Sequence, residues 1–187
     1  GQHNMLNVLA AFALVSALEL DALPAFDQSA QRYVQAAGSF GGLEHRAEFV
    51  RELRGVNYVN DSKATNVGAS VAALAGYPQR ADQPGTVVLL AGGQGKGADF
   101  APLGAAAAGR VKRALVFGED ASQIEAALSR HTTVERCATF EIAVETAEKV
   151  ASAGDTVLLA PACASFDMFA SFTARGERFK ELVGALR

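Results

Sequence analysis

The sequence is poor in cysteine and histidine, sparing with charge, and without any long apolar run. Its two cysteines, Cys137 and Cys163, stand far apart and form no CxxC pair. That excludes a disulfide-stapled fold and a cysteine-based zinc site. No apolar stretch reaches the roughly 18–20 residues that a membrane-spanning helix needs, and no secretory leader pattern opens the chain. A reducing cytoplasm is the expected compartment. Only 20% of the residues are charged, and the net charge is -3 with a pI near 5.6. This balance speaks against nucleic acid or an anionic membrane as the principal partner, although it can conceal a local cationic pocket. What is present is a 50% hydrophobic composition spread over 187 residues, enough for one full domain with a small appendage and a sizeable core.

The organisation changes near Gly38. Residues 4–20 and 25–37 read as helices, the second following Pro24. The run Gly38-Ser39-Phe40-Gly41-Gly42 is punctuation. Beyond it, residues 47–53 and 56–60 read as a hairpin bridged at Arg54-Gly55. Apolar strand-like runs recur at 86–91, 113–117 and 156–160, with a weaker one at 133–138. Helical stretches at 67–75, 101–110, 121–130, 141–153 and 171–186 separate them. Short apolar runs alternating with helices imply a sheet buried on both faces. The expected fold is α/β: a three-layer, Rossmann-like domain with a mostly parallel sheet over 39–187, preceded by a short helical pair over 1–38. That pair cannot bury its own apolar faces, and it is expected to be the tail of another domain.

Ligands of open α/β sheets bind beyond the carboxyl ends of the strands, and four segments there carry polar chemistry. The first, Asn60-Asp61-Ser62-Lys63-Ala64-Thr65-Asn66, offers both charge signs with hydroxyl and amide groups. Thr65 or Asn66 is placed to cap the next helix, whose N-terminus favours an anion; a plain helix-entry turn with a surface lysine fits as well. The second, residues 92–100, has four glycines around Lys96. It is not a Walker A loop, because Leu90 occupies the first glycine position and Gly97 the hydroxyl position. A dinucleotide fingerprint fits Gly93, Gly95 and Ala98 with Glu119 as the ribose acid, yet the next helix is expected too late for these glycines to open it. A simple glycine-rich turn is the alternative.

The third segment, Ala160-Pro161-Ala162-Cys163-Ala164-Ser165-Phe166-Asp167, has small residues that leave room for a substrate. Ser165 and the amides after it suit a carboxylate. Cys163 has no local base and reads as a packed small hydrophobe rather than a nucleophile. The fourth is His45-Arg46, together with Asn4 and Asn7 near the chain start. His3 and His45 have no ligand-spaced partners, so no metal site is expected. No Ser-His-Asp arrangement with a nucleophile elbow is present either. The residues alone describe an anion-handling pocket whose cations are Lys63, Lys96 and Arg46.

Five blocks then fall into a known order and spacing: GQHNMLN at 1–7, HRAE at 45–48, NDSKATN at 60–66, LLAGGQGKGADF at 89–100 and LLAPACASFDMFASFTARGERF at 158–179. Over essentially the whole chain they resemble the Mur ligase family, in the branch that adds D-glutamate. The resemblance implies that residues 1–38 end an ATP-binding central domain and that 39–187 form a C-terminal amino-acid-binding domain. It also implies an ATP-dependent acid–amino-acid ligase that joins D-glutamate to UDP-N-acetylmuramoyl-L-alanine through an acyl phosphate, in peptidoglycan precursor synthesis. Thr65 and Lys96 would hold the α-carboxylate of D-glutamate. Ser165, with Phe166 and the backbone near Phe172, would surround the side-chain carboxylate. Asn4, Asn7, His45, Arg46, Asp61 and Lys63 would form this part's share of the nucleotide site, and Lys63 and Lys96 would serve catalysis. ATP and Mg2+ are implied for the full-length enzyme, with neither bound tightly by this chain. The other implied partners are UDP-N-acetylmuramoyl-L-alanine and the N-terminal and central domains. Glu44 stands where the family has proline, and Phe166 where leucine is common; neither departure removes a functional group. No GKS or GKT loop occurs in the 187 residues, so no turnover by this chain alone is expected.

Overall fold

The computed structural model describes residues 42–80 and 85–187, together with the helical positions 10, 11, 13, 14 and 35. The rest of the expected helical pair, with Asn4 and Asn7, lies outside the described residues. The chain falls into two units, Gly1–Leu43 and Glu44–Arg187, and the second carries the sheet.

Among the described residues six strands, β1 (Glu48–Leu53), β2 (Val56–Asn60), β3 (Val87–Gly92), β4 (Val111–Phe117), β5 (Thr133–Arg136) and β6 (Thr156–Leu159), lie in the order β1-β2-β6-β3-β4-β5. β1 is antiparallel to β2, and the remaining pairs are parallel. The hairpin closes at Arg54-Gly55, where φ is 52° and 77°. Positive φ at both central residues makes this the two-residue turn whose twist matches the strands it joins.

Five helices follow the parallel strands: α1 (Val67–Ala75), α2 (Ala101–Ala107), α3 (Ala121–Leu128), α4 (Phe140–Val150) and α5 (Phe172–Ala185). The strand VVLLAG of β3 is buried throughout, and its alternate side chains serve different cores, as a two-residue period dictates. Val87, Leu89 and Ala91 pack with Leu74, Leu103 and Ile124 of α1, α2 and α3. Val88 and Leu90 pack with Phe140, Val144 and Phe179 of α4 and α5. The fold is therefore three-layered, with a mostly parallel sheet between two helical layers, as the run of short apolar strands implies.

Element ends follow local chemistry. Asn66, Thr139 and Ser171 cap α1, α4 and α5, their side chains accepting from the amides of Ala69, Ile142 and Ala174; caps of this kind contribute about 1 kcal/mol each. Some boundaries differ from expectation. α2 stops at Ala107 rather than at 110, because Gly109 takes φ 66° and returns the chain to β4, which begins at Val111. β5 is shorter than the expected 133–138 and has no fully buried residue, being an edge strand with one neighbour.

The Phe140 ring meets both Phe117 and Phe169 edge-on, at 5.3 Å in each case, and it is 1% exposed. Phe140→Ala is expected to lower unfolding free energy by about 3–5 kcal/mol in urea titration. Ile142→Ala, on the exposed side of the same helix, is expected to stay within about 0.5 kcal/mol.

Candidate functional site

β2, β6 and β3 are neighbours in the sheet and end on one side of it, so the segments leaving them meet. Backbone bonds fasten these segments together. Ala162 N donates to Ala64 O at 3.0 Å, and Gln94 and Ala164 exchange two bonds of 2.9 and 3.0 Å. Gly93 has φ 123°, and a Cβ there would run into the Ala164 carbonyl. Only glycine permits this approach.

Between the segments lies a cavity of about 390 Å³. Thr65 comes to it from the segment after β2, Lys96 from that after β3, Ser165 and Phe166 from that after β6, and Phe172 from the start of α5. All five residues expected around an amino-acid substrate therefore share one cavity, and Ala98, Ala162 and Ala164 keep it open. Lys96 is exposed at φ 55°, its Nζ 5.5 Å from the centroid of the Phe166 ring, within cation–π range. Ser165 is only 1% exposed, yet its Oγ finds no hydrogen-bond partner among the described residues. A buried hydroxyl without a partner costs about 1–3 kcal/mol, a cost that a bound acceptor at this wall would remove. One mobile cation and two hydroxyls suit a small molecule with carboxylates.

The glycines of the same segment do not form a dinucleotide cradle. Gly95 N donates to the Asp120 carboxylate at 2.6 Å and Gly93 N to Phe117 O at 3.2 Å, so these amides are spent within the fold. Glu119 accepts from Gln94, and α2 opens only at Ala101. Cys163 is fully buried, and burial, helped by the charge of Asp120, pushes its thiol up to about 12. That is the state of a packed hydrophobe, since the nucleophile is the thiolate.

Of the residues expected near a nucleotide, Lys63, Arg46, Asp61 and His45 are among the described ones. Lys63 places its Nζ 4.1 Å from the centre of the Phe172 ring. Arg46 is exposed, with no side-chain partner among the described residues. Asp61 lies close enough to Tyr77 to add to the effect of burial, which pushes that phenol up to about 12. His45, in contrast, is inside: it is 3% exposed at φ 62°, with Nδ1 3.0 Å from the Asn60 amide nitrogen and the ring edge-on to Phe172. A Cβ on Gly176 would collide with it. Glu44 and Glu177 bring carboxylates near His45, an acidic grouping that the spacing of the histidines does not announce. Lys180 Nζ already meets that charge, at 3.0 Å from Glu177, 3.3 Å from Glu48 and 3.8 Å from Glu44.

One residue beside the site escapes sequence reasoning altogether. Arg175 of α5 is fully buried. Its Nε donates to Ser62 Oγ (3.0 Å), Nη2 to Ser62 O (3.0 Å) and Cys163 O (3.1 Å), and Nη1 to Gly92 O (3.4 Å). Desolvation pushes its pKa down to about 10, so it stays charged at neutral pH. The available signal is its helical phase: Arg175, Phe179 and Val183 stand four residues apart and are all buried, which puts a cation in an apolar stripe.

Residues 45–163 match the family described as Mur ligase, glutamate ligase domain. The chain belongs to the Mur ligases. Among Mur ligase relatives, the UDP-N-acetylmuramoylalanine--D-glutamate ligase of Chromohalobacter salexigens is 47% identical over 181 residues, covering 97% of this chain and 38% of that protein. The enzyme of the same name from Hahella chejuensis is 46% identical over 186 residues, covering 100% and 40%. The chain thus spans about two fifths of the length of the curated relatives it matches. Solved structures share the fold at lower identity. A MurF ligase from Thermotoga maritima in complex with ADP aligns with a TM-score of 0.58 at 22% identity, over 95% of this chain and 37% of that one. FolC from E. coli, in complex with ADP, aligns at 0.60 and 20% identity, over 92% and 39%.

Ser165→Ala is expected to leave thermal stability unchanged or slightly raised, because it deletes a hydroxyl that has no partner. A clear fall in the melting temperature would show that the hydroxyl is satisfied within the fold.

Proposed function

We propose that this chain is the part of a D-glutamate-adding Mur ligase that receives the amino acid. The observation that carries the reading is the cavity in which Thr65, Lys96 and the unpartnered hydroxyl of Ser165 come together. Lys96 and Thr65 hold the α-carboxylate of D-glutamate, and Ser165, between Phe166 and the backbone near Phe172, holds the side-chain carboxylate. Fixing both ends aims the amine, and holding a nucleophile in an attack geometry is itself a large part of catalysis. The names of the relatives, which couple UDP-N-acetylmuramoylalanine to D-glutamate, support this choice of substrate and a place in peptidoglycan precursor synthesis.

The nucleotide enters this reading as a second substrate. The cations Arg46 and Lys63 fit its phosphates, and Asp61 and His45 belong to this part's share of the same site. The planar fork of an exposed arginine suits paired bonds to a phosphate, and the ADP named in two structural neighbours agrees with that fit. ATP supplies the phosphoryl group that activates the muramoyl-alanine carboxyl. The amine of D-glutamate then forms the C–N bond, phosphate departs with the electron pair of the broken C–O bond, and the amine's surplus proton passes to solvent. Lys63 and Lys96 offset the charge that builds on the reacting groups. Among the described residues Glu44, His45 and Glu177 bring ligand-type atoms together, with Lys180 paired to both carboxylates; in this reading the Mg2+ ligands belong to the N-terminal and central domains. Among the described residues no helix is long and apolar enough to cross a membrane. Two buried free cysteines and a nucleotide substrate suit a reducing cytoplasm.

Lys96→Ala is expected to weaken D-glutamate binding by roughly tenfold, the size of one charge-assisted bond, in a calorimetric or NMR titration of this chain. Equal affinity in the variant would remove Lys96 from the site. Given ATP, Mg2+, UDP-N-acetylmuramoyl-L-alanine and D-glutamate together, the 187-residue chain is expected to release no phosphate, since its sequence holds no GKS or GKT loop. Sustained release would contradict the division of labour proposed here.

A further inference from the structure

The acceptor reading leaves Arg175 without a task. We propose that Arg175 is a positioning residue that fixes the spacing between the two carboxylate-holding sides of the cavity, and so sets the length of diacid that the site accepts. This inference rests on the acceptor reading.

Its contacts single out the segments that matter. Ser62 precedes Thr65 in the segment after β2, Gly92 is the last residue of β3 and leads to Lys96, and Cys163 precedes Ser165 in the segment after β6. Arg175 bonds to all three. Ser62 Oγ, which accepts from Arg175 Nε, in turn donates to Phe172 O at 2.7 Å, so the first turn of α5 and its cavity-lining ring are held by the same cluster. The backbone bonds between Ala64 and Ala162 and between Gln94 and Ala164 fasten the segments in pairs. The guanidinium joins all three at once.

The choice of side chain supports a geometric role over a merely stabilising one. A buried cation is expensive to desolvate, and apolar replacements of buried charged groups are often neutral or better for stability. What an apolar side chain cannot do is bond three loops at defined angles. Arginine presents five donors in a rigid plane, whereas lysine offers three on a flexible stem. Spacing is the property such a plane controls, and for a ligand with a carboxylate at each end the spacing between the two holders decides which chain length fits.

The test compares wild-type chain with Arg175→Lys, which keeps the charge and loses the fork, and Ser62→Ala, which removes one hub of the cluster with little loss of volume. Arg178→Met, on the outer side of α5 where its partners are Glu141 and Glu181, is the control. Each is titrated with D-glutamate, D-aspartate and D-2-aminoadipate, after circular dichroism has shown which variants fold. Wild type and Arg178→Met are expected to prefer D-glutamate over the shorter and the longer diacid. In Arg175→Lys, and in Ser62→Ala, that preference is expected to fall by roughly tenfold. General loosening of the fold would lower the three affinities together and leave their ratios alone. Unchanged ratios in the folded variants, Ser62→Ala serving if Arg175→Lys does not fold, would overturn the positioning role while leaving the acceptor site intact. Failure of wild type to bind any of the three would overturn the acceptor reading, and this inference with it.

Discussion

Removing a guanidinium from water costs several kcal/mol, and Arg175 offsets that cost without a carboxylate bonded to it. Its acceptors are the backbone carbonyls of Ser62, Gly92 and Cys163 and the Ser62 hydroxyl. Gly92 is the last residue of β3, and Ser62 and Cys163 lie shortly past β2 and β6. The bonds satisfy both parties, since buried carbonyls without donors are also penalised. Thr65, Lys96 and Ser165 follow within a few residues of these acceptors, and they line one cavity because the stretches meet.

The sheet makes that arrangement available. Parallel strands all present their carboxyl ends on one side, and the order β2-β6-β3 brings together segments far apart in the chain. Right beside β2 the direction reverses in the β1 hairpin, whose outer face is partly exposed, Phe49 at 61% among it. The interior strands are apolar on both faces and have little chemistry of their own. The division is sharp: sheet and helices provide rigidity, and the segments at one end provide all the reactive groups. Those segments hold their shape through glycines, caps and backbone bonds, so the geometry of the site costs little of the core's regularity.

How much of this was legible depended on whether a residue's environment is set locally. β3, β4 and β6 announce themselves because strands buried on both faces must be continuously apolar. The start of α1 was legible because Asn66, one of two candidate caps, is a local matter, while the Thr139 and Ser171 caps of α4 and α5 came only with the structure. β5 is faint because an edge strand has one neighbour and half-exposed residues. The cavity residues were legible as motifs at strand ends, since glycine, hydroxyl and lysine cluster there for reasons of local approach and charge. Arg175 and the burial of His45 were not. Both follow from packing between separate elements, and the helical phase of Arg175 does not show that its partners are Ser62, Gly92 and Cys163, which lie 113, 83 and 12 residues away. The dinucleotide fingerprint at Gly93–Ala98 failed for the opposite reason: the spacing is right, but the amides are already bonded to Phe117 and Asp120.

Phe172 is a party wall. Its ring closes one side of the cavity, carries the Lys63 ammonium 4.1 Å from its centre, and receives the His45 ring at its edge. Under the proposed function, an anion at Lys63 and a diacid in the cavity would act on the same six carbons. Truncating that ring therefore changes two compartments in one stroke.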